Sequence, residues 1–219
     1  YYIRHAETVA NVLEDPSQTT LEDLDTFTEL GTRQVEAMTT FLLASGIAPD
    51  AVLVSPTWRS QNTIAPYLAR AGLTGEIWLE LSECCAEDPT GGPLPTEPTF
   101  YEYYEASLEA ENLAFRDDAR ANWQNDTYED GLFMVMTARD ALLERFGNSG
   151  KSIIISGHAV AGSILIGLLL GEDMTAGEDE FIMENRLFMM NTGMHHLEQD
   201  PDTGLFQVVD TNINDPVSE

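Results

Sequence analysis

The sequence has almost no lysine and few positive charges of any kind. Lys151 is the only lysine, and 10 Lys and Arg residues stand against 38 Asp and Glu residues, which gives a formal net charge of −28 at pH 7. Nucleic acids and anionic membranes repel such a chain, so we expect neither as a partner. Self-repulsion of this size is typical of halophilic proteins. We therefore interpret the chain as salt-adapted, with an ordinary acidic protein as the alternative.

Cysteines and long apolar runs are also scarce. The two cysteines, Cys84 and Cys85, are neighbours, and adjacent Cα atoms are closer than in most disulfides, so we expect no disulfide framework. No run reaches the roughly 18 apolar residues of a membrane helix. We expect a cytoplasmic protein, with export as the open alternative because Tyr1 is not an initiator methionine. Nothing in the sequence indicates an oligomeric state.

Short apolar runs alternate with stretches of helical periodicity. The predicted strands cover residues 1–4, 51–54, 76–79 and 152–156, followed by a hairpin of residues 194–197 and 205–209. The predicted helices cover residues 30–42, 58–71, 132–146 and 159–170, and the first three are followed by Gly46, Gly72 and Gly147. Pro66 should kink the second helix. Strands that alternate with helices predict an α/β fold with a largely parallel sheet.

The composition changes between the third predicted strand and the third predicted helix. Residues 87–98 contain several prolines and a glycine pair, which predict a loop. Residues 99–130 are acidic and aromatic, and we expect a helical insertion there. We interpret residues 1–219 as a single domain in which residues 87–130 form a lid that selects the substrate.

Two histidines each follow a predicted strand. The first lies in Arg4-His5-Ala6-Glu7-Thr8 and the second in Gly157-His158-Ala159. Residues at the carboxyl ends of the strands lie where α/β proteins bind their ligands. Two imidazoles and an arginine that meet there can attack and hold a phosphoryl group.

Two further segments complete a pattern with these histidines. Ser55-Pro56-Thr57-Trp58-Arg59 follows the second strand, and Leu81-Ser82-Glu83 follows the third. In this order the four segments resemble the histidine phosphatase superfamily, also called phosphoglycerate-mutase-like. Ala6 stands where the family's Arg-His-Gly-Glu motif has glycine. The resemblance covers nearly the whole chain and implies a three-layer sandwich, with a mixed, mainly parallel sheet and helices on both faces. Lesser matches are Leu30-Gly31 with Gln34, Asn191-Thr192-Gly193 and residues 212–216.

The resemblance implies a covalent mechanism. His5 is expected to be the nucleophile, because a neutral imidazole nitrogen can take the phosphoryl group and split one difficult step into two. Glu83 is expected to protonate the leaving alkoxide and then to activate water. Glu87 lies four residues further on and is a rival for this role.

The other matched residues are expected to hold the phosphoryl oxygens. Arg4 and Arg59 offer planar forks of donors that fit phosphate. His158 completes the catalytic set and donates to the same oxygens, aided by the positive end of the helix that follows it. Asn11 and Thr63 contact the phosphate or hold the loop, and for Thr63 we favour a packing role.

Two more histidines lie outside this pattern. His195 and His196 are adjacent in the predicted hairpin. Because neighbouring residues of a strand face opposite sides, they cannot enter one site together, and we expect structural roles for both.

These observations predict a phosphatase that hydrolyses phosphomonoesters of small molecules or phosphoproteins, without a metal or other cofactor. One alternative is a phosphoglycerate-type mutase. It needs cations for a substrate carboxylate, and Arg116 and Arg120 are the only basic residues of the segment 99–130. The other alternative is a module that binds phosphorylated ligands without catalysis, against which the presence of Glu83 argues.

Overall fold

A computed structural model describes residues 1–15, 18–85, 112–116, 127–176, 187 and 189–214. In chain order, the strands of this part are β1 (Tyr2–Arg4), β2 (Ala51–Val54), β3 (Gly75–Ile77), β4 (Leu113–Phe115), β5 (Ile153–Gly157), β6 (Met194–Gln199) and β7 (Phe206–Asp210). The α-helices are α1 (Leu21–Leu24), α2 (Glu29–Ala44), α3 (Trp58–Ala71), α4 (Tyr128–Phe146) and α5 (Ala159–Leu170). Short 3₁₀ helices cover Val9–Val12, Leu79–Leu81 and Met174–Ala176.

The strands form one sheet in the order β4-β3-β2-β5-β1-β6-β7. The first five of these are parallel, whereas β6 is antiparallel to β1 and β7 is antiparallel to β6. In β1, Tyr2 lies opposite Ile155 of β5 on one side and His195 of β6 on the other. Since β1 and β5 are parallel neighbours, the residues that follow them leave the sheet at the same edge.

Both faces of the sheet are covered by helices. Successive side chains of a strand face opposite sides, and the core divides accordingly. Tyr2 and Ile155 pack with α4 and α5 in one buried cluster. Ile3 and Ile154 pack with α2 and α3 in the other. This arrangement confirms the predicted three-layer sandwich with a mixed, mainly parallel sheet.

Local signals set the ends of the main helices. The bounds of α3 and α5 match the predicted ones, and each helix ends at a glycine with a left-handed backbone, Gly72 (φ 68°) and Gly171 (φ 87°). Helix α3 continues through Pro66. The hydroxyl of Thr28 caps α2 by accepting a hydrogen bond from the Gly31 N–H at 2.9 Å.

Two predicted boundaries are wrong, and one short helix was not predicted. Strand β3 ends at Ile77, because the Leu81 N–H donates to the Trp78 carbonyl at 3.1 Å and turns the chain out of the sheet. The one-turn helix α1 lies between the first predicted strand and the first predicted helix, where no element was expected. Helix α4 begins earlier than predicted, since the Thr127 hydroxyl accepts from the Asp130 N–H at 3.1 Å and caps it.

The predicted helical insertion is wrong for Leu113–Phe115, which form the edge strand β4. This strand pairs in parallel with β3, with Gly75 opposite Leu113. The acidic and aromatic composition of residues 99–130 does not reveal this pairing with β3. Residues 86–111 and 117–126, including Glu87 and Arg120, lie outside the described residues, and the lid stays a prediction.

Strands β6 and β7 form the predicted terminal hairpin. Its turn is held by Asp200, whose carboxylate accepts from the Asp202 and Thr203 N–H groups at 2.8 and 3.0 Å. None of the described helices combines the length and the apolar character needed to cross a bilayer.

Candidate active site

His5 follows β1 at the carboxyl edge of the sheet, and its side chain has a defined tautomer. Its Nδ1 lies 2.7 Å from the Ala6 carbonyl oxygen. A carbonyl only accepts, so Nδ1 must carry the hydrogen and Nε2 keeps its lone pair. The His5 N–H donates to the Gly157 carbonyl at 2.9 Å, which extends the pairing of β1 with β5. His5 therefore presents an unprotonated Nε2.

The surroundings keep this imidazole neutral. His5 is 4% exposed. Burial holds its pKa well below the ordinary value, and the positive charges of Arg59 and Arg4 lower it further. A neutral imidazole is the form in which a histidine acts as a nucleophile.

The loop after His5 is fixed to α3 and α2. The Ala6 N–H donates to the Thr63 hydroxyl at 2.9 Å, and this hydroxyl donates to the Arg59 carbonyl at 2.7 Å. The Glu7 carboxylate accepts from the Thr28 hydroxyl at 2.6 Å. Thr63 thus links the loop after His5 to the helix turn that carries Arg59.

Asn11 also holds this loop. Its Oδ1 accepts from the Thr8 N–H at 3.0 Å and from the Asn191 side-chain amide at 3.2 Å. The same Asn191 amide donates to the His5 carbonyl at 3.1 Å. Of the two roles predicted for Asn11, these bonds favour holding the loop.

Two arginines supply positive charge to the pocket. Arg59 lies in the first turn of α3 and is 2% exposed. Arg4 ends β1, and its guanidinium donates to the Met189 carbonyl at 2.7 Å. Both arginines lower the pKa of His5 and of His158. The predicted phosphate-binding arginines therefore act on both histidines.

His158 lies beside His5, with ring centroids 5.3 Å apart. It is fully buried, and its Nε2 lies 2.8 Å from the Ser55 hydroxyl and 3.3 Å from the Thr57 hydroxyl. Its Nδ1 has no hydrogen-bond partner among the described residues and lies 3.8 Å from the Glu83 carboxylate. A buried polar atom without a partner is costly, and here it marks a place for a ligand oxygen.

Glu83 reaches the same pocket from the end of the 3₁₀ turn that follows β3. Its Oε1 accepts from the Ala161 N–H of α5 at 3.0 Å and from the Cys84 N–H at 3.2 Å. Burial raises the pKa of Glu83, although these two bonds and the charges of Arg59 and Arg4 oppose the shift. An amide in the first turn of α5, the helix whose positive end we expected to face the phosphate, thus binds this carboxylate.

Directly after Glu83, Cys84 and Cys85 are joined by a disulfide, so the expectation of unpaired cysteines is wrong. Cys85 has a left-handed backbone (φ 70°), which turns the chain and lets adjacent sulfurs meet. A Cβ on Gly131 of α4 would lie 2.3 Å from the Cys85 sulfur. Absence of a side chain at Gly131 makes room for the pair.

The structure separates the hairpin histidines from this pocket. The His195 ring is buried and accepts from the Asn212 N–H at 3.2 Å through Nδ1. His196 stacks on Tyr1 with ring centroids 4.4 Å apart. Within the described residues, no group of three or more His, Cys, Asp and Glu side chains could hold a metal ion.

The sequence did not predict the residues that hold the ring and the backbone of His158. The role of Ser55 as a partner of His158 was not predicted, although its place after β2 is a signal that the same strand-end argument can use. Tyr2 binds the His158 backbone through its hydroxyl. Its position two residues before Arg4 carries no such signal, because the contact spans most of the chain.

Comparisons with known proteins agree with this geometry. The family model of the histidine phosphatase superfamily (branch 1) matches residues 1–212. The fold is similar to an alpha-ribazole phosphatase of Shigella flexneri, with 19% identity, coverage of 100% of this chain and 98% of that chain, and a TM-score of 0.61. No curated protein sequence is significantly similar to the chain.

Two other solved structures are similar over a comparable length. A mycobacterial glucosyl-3-phosphoglycerate phosphatase in complex with VO3 shares 19% identity, with coverage of 95% of this chain and 96% of that chain and a TM-score of 0.61. A phosphoserine phosphatase variant of Entamoeba histolytica in complex with phosphoserine shares 17% identity, with coverage of 97% and 95% and a TM-score of 0.61. At these identities, the likeness shows the fold.

Proposed function

Because the chain belongs to the histidine phosphatase superfamily (branch 1), we propose that it hydrolyses phosphomonoesters through a phosphohistidine at His5. One observation carries the proposal. The neutral His5 presents an unprotonated Nε2 beside His158, whose buried Nδ1 has no partner among the described residues. A nucleophile and a donor for a phosphoryl group thus lie next to each other at the carboxyl edge of the sheet.

In the first step, Nε2 of His5 attacks phosphorus and the ester P–O bond breaks. The developing negative charge lies on the equatorial oxygens, which Arg4, Arg59 and His158 stabilise. When the Ser55 hydroxyl donates to Nε2 of His158, Nδ1 carries a hydrogen and donates it to a phosphoryl oxygen. The positive charges that lower the pKa of the histidines thus also bind the anion.

Glu83 handles the proton in both steps. Its raised pKa keeps part of the carboxyl protonated above the ordinary pH range of a glutamate. In the first step it gives this proton to the leaving alkoxide. In the second step a water attacks the phosphohistidine, the N–P bond breaks, and Glu83 takes the proton of the water. The products are an alcohol and inorganic phosphate, and His5 and Glu83 return to their starting forms.

The alternative of a mutase is weakened by the contacts of Arg116. This arginine pairs with the buried Glu80 at 2.5 Å and lies 4.4 Å from the centre of the Trp78 ring. A side chain held in this way belongs to the support of the sheet edge, and its positive charge is compensated. We therefore favour hydrolysis over transfer to a carboxylated sugar.

A non-catalytic phosphate-binding module is the less favoured alternative. Binding needs the arginines and histidines alone, whereas Glu83 adds a carboxylate with a raised pKa next to the bound anion. Such a group weakens the binding of phosphate when ionised and is useful only if a proton must be moved. Turnover separates this alternative from an enzyme.

The structural neighbours differ in the phosphate esters for which they are named. The structural neighbours are named for phosphates of alpha-ribazole, a glucosylated glycerate and serine. We propose a small phosphomonoester or a phosphoprotein as the substrate, selected by residues 87–130, without nucleic acid, membrane, metal or cofactor. We also propose that the acidic surface is an adaptation to high salt.

The test is a turnover assay with a panel of phosphomonoesters at low and high salt. We expect release of inorganic phosphate, and an acid-labile, alkali-stable phosphoenzyme after rapid quenching. Orthophosphate release without any trapped phosphohistidine would contradict the covalent mechanism. Tight phosphate binding without turnover on the whole panel would favour the binding module.

A further inference from the structure

The hydroxyl of Tyr2 binds both backbone polar groups of a single residue, His158. It accepts a hydrogen bond from the His158 N–H at 2.8 Å and donates one to the His158 carbonyl oxygen at 3.0 Å. Tyr2 is 3% exposed, so water does not compete for these bonds. One oxygen therefore fixes the peptide groups on both sides of the His158 Cα, across 156 positions of sequence.

This contact begins where the sheet stops. The register of β1 with β5 ends at the pair Arg4 and Gly157. His158 is the residue between β5 and α5, with an extended backbone (φ −126°, ψ 173°), and its side chain does not cap the helix. Its N–H and carbonyl are therefore not held by strand pairing, and the Tyr2 hydroxyl takes the place of a strand partner.

Two glycines make the space for the Tyr2 ring. A Cβ on Gly157 would lie 2.2 Å from the Tyr2 hydroxyl, and a Cβ on Gly162 would lie 2.4 Å from the ring. Any larger residue at either position would push the ring away from His158. The Tyr2 contact thus depends on a glycine in each of the two elements that flank His158, Gly157 of β5 and Gly162 of α5.

Contacts with the ring and with the backbone together define where the His158 ring lies. The hydroxyls of Ser55, Thr57 and Ser60 lie 2.8, 3.3 and 3.4 Å from Nε2 and set the rotation of the ring. Tyr2 sets the backbone from which the ring extends. The remaining ring atom, Nδ1, lies 3.8 Å from the Glu83 carboxylate and has no partner among the described residues. Its position relative to His5 depends on both anchors.

We propose that Tyr2 is a positioning residue for His158, which places Nδ1 for the phosphoryl oxygens without contacting the substrate itself. This inference rests on the proposed function. A donor contributes to phosphoryl transfer only when it lies at the position of the developing charge, so a displaced backbone lowers the rate even when the ring is intact.

The test compares two variants that each lose one tyrosine hydroxyl. Tyr2→Phe removes the contact with His158, and Tyr128→Phe removes a 2.6 Å bond to the Met174 carbonyl. We expect Tyr2→Phe to lower kcat by about 10- to 100-fold, with a smaller change in KM. Tyr128→Phe should leave kcat unchanged and lower the melting temperature by a comparable amount. Equal kcat values in the two variants would overturn the inference.

A double-mutant cycle shows whether Tyr2 acts through His158. In a His158→Ala background, Tyr2→Phe should cause no further loss of tungstate affinity, measured by calorimetry, because the ring that it positions is gone. If Tyr2→Phe lowers the tungstate affinity of His158→Ala as much as it lowers that of the wild type, Tyr2 has a different role. If Tyr2→Phe does not fold, Gly162→Ala displaces the same ring from the other side and should lower kcat in the same way.

NMR of the resting protein separates this inference from the proposed function. Ring resonances of ¹⁵N-labelled histidine, assigned with single histidine variants, should move for His158 in Tyr2→Phe and stay in place for His196, which does not lie opposite Tyr2. If the wild type is inactive on all esters but His158 moves, only the proposed function fails. If the wild type is active and Tyr2→Phe changes neither kcat nor the His158 resonances, only the positioning role fails.

Discussion

The four histidines of the chain form two pairs with different surroundings. His5 and His158 come from distant segments and meet at the carboxyl edge of the sheet, whereas His195 and His196 are neighbours on β6. Each pair has a nearby carboxylate, with His158 3.8 Å from Glu83 and His196 3.7 Å from Glu198. Residue type and distance alone therefore do not distinguish a site from a structural pair.

The two histidine pairs differ in the charges around their rings and in the solvent exposure of the neighbouring carboxylate. Burial alone lowers the pKa of His195 to about 4. For His5 and His158, the charges of Arg4 and Arg59 add to burial, so the same pocket that keeps the rings neutral attracts an anion. The Glu83 side chain is 25% exposed against 59% for Glu198. A buried acid among cations can control a proton, whereas an exposed one is screened by water.

The largest expected effect separates the two pairs by activity. His5→Ala should lower kcat by at least about 10⁴-fold and abolish the trapped phosphoenzyme, because no other described group presents an unprotonated nitrogen there. His196→Ala should leave turnover within about twofold. Circular dichroism checks that both variants fold. A phosphoenzyme that still accumulates in His5→Ala would assign the nucleophile elsewhere.

The second effect compares the two carboxylates. Glu83→Gln should slow alkyl phosphates by about 10²–10⁴-fold and p-nitrophenyl phosphate far less, since that leaving group hardly needs a proton. Glu198→Gln should slow neither. Equal losses for both esters would remove Glu83 from the acid role, and a larger leaving-group dependence in Glu87→Gln would transfer it there.

The same variant has a pH signature. The raised pKa of Glu83 means that its acid form persists above the range of an ordinary glutamate. For alkyl esters, kcat/KM of the wild type should therefore fall as the pH rises through this pKa, because the proton donor is lost. In Glu83→Gln, kcat/KM should not fall in this pH range. If it still falls, another group is the one that titrates.

A smaller effect is expected on the free energy of unfolding, from the hairpin histidines His195 and His196. The pKa of His195 falls from 6.5 to about 4 on folding, so between these values the unfolded chain binds more protons than the folded one. This histidine thus lowers stability as the pH falls from 6.5 to 4, by on the order of 3 kcal/mol. His195→Asn should flatten the unfolding free energy over this range, whereas His196→Asn should change it little. Identical pH slopes in both variants and the wild type would exclude His195.

The smallest effect acts on the surface that surrounds both pairs. With 38 acidic and 10 basic residues, screening of self-repulsion should raise the melting temperature between 0.01 and 1 M NaCl. The Debye length falls from ~30 Å to ~3 Å over this range. An uncharged osmolyte serves as the control for exclusion effects. A melting temperature that stays flat or falls with NaCl would contradict the adaptation to salt.

Local signals allowed much of the fold to be predicted. The bounds of α3 and α5 follow from apolar spacing, and that of α3 also from Gly72, and these signals act within a few residues. The strand β4 was missed because its three residues are defined by pairing with β3 rather than by their own pattern. Sequence-local rules thus identify elements that have an apolar pattern of their own and fail at β4, whose place in the sheet depends on its pairing with β3.

The same division applies to the site. His5 and His158 were predicted because each follows a buried strand, and Arg59 and Glu83 because their segments match the pattern of the histidine phosphatase superfamily in the same order. The two hydrogen bonds between the Tyr2 hydroxyl and the His158 backbone could not be predicted, since they join positions 156 residues apart. The disulfide of Cys84 and Cys85 was missed because the left-handed backbone at Cys85 is not visible in the sequence.

The central place of β1 has a consequence for synthesis of the protein. This strand covers Tyr2–Arg4, and its partners β5 and β6 cover residues 153–157 and 194–199, so both are made well after it. At about 5–20 residues per second, a ribosome needs roughly 10–40 s to supply them. During this time the apolar β1 segment has no sheet neighbours, and the candidate active site does not exist. The site therefore forms only after β5 and β6 have been synthesised, and until then β1 is accessible to a chaperone.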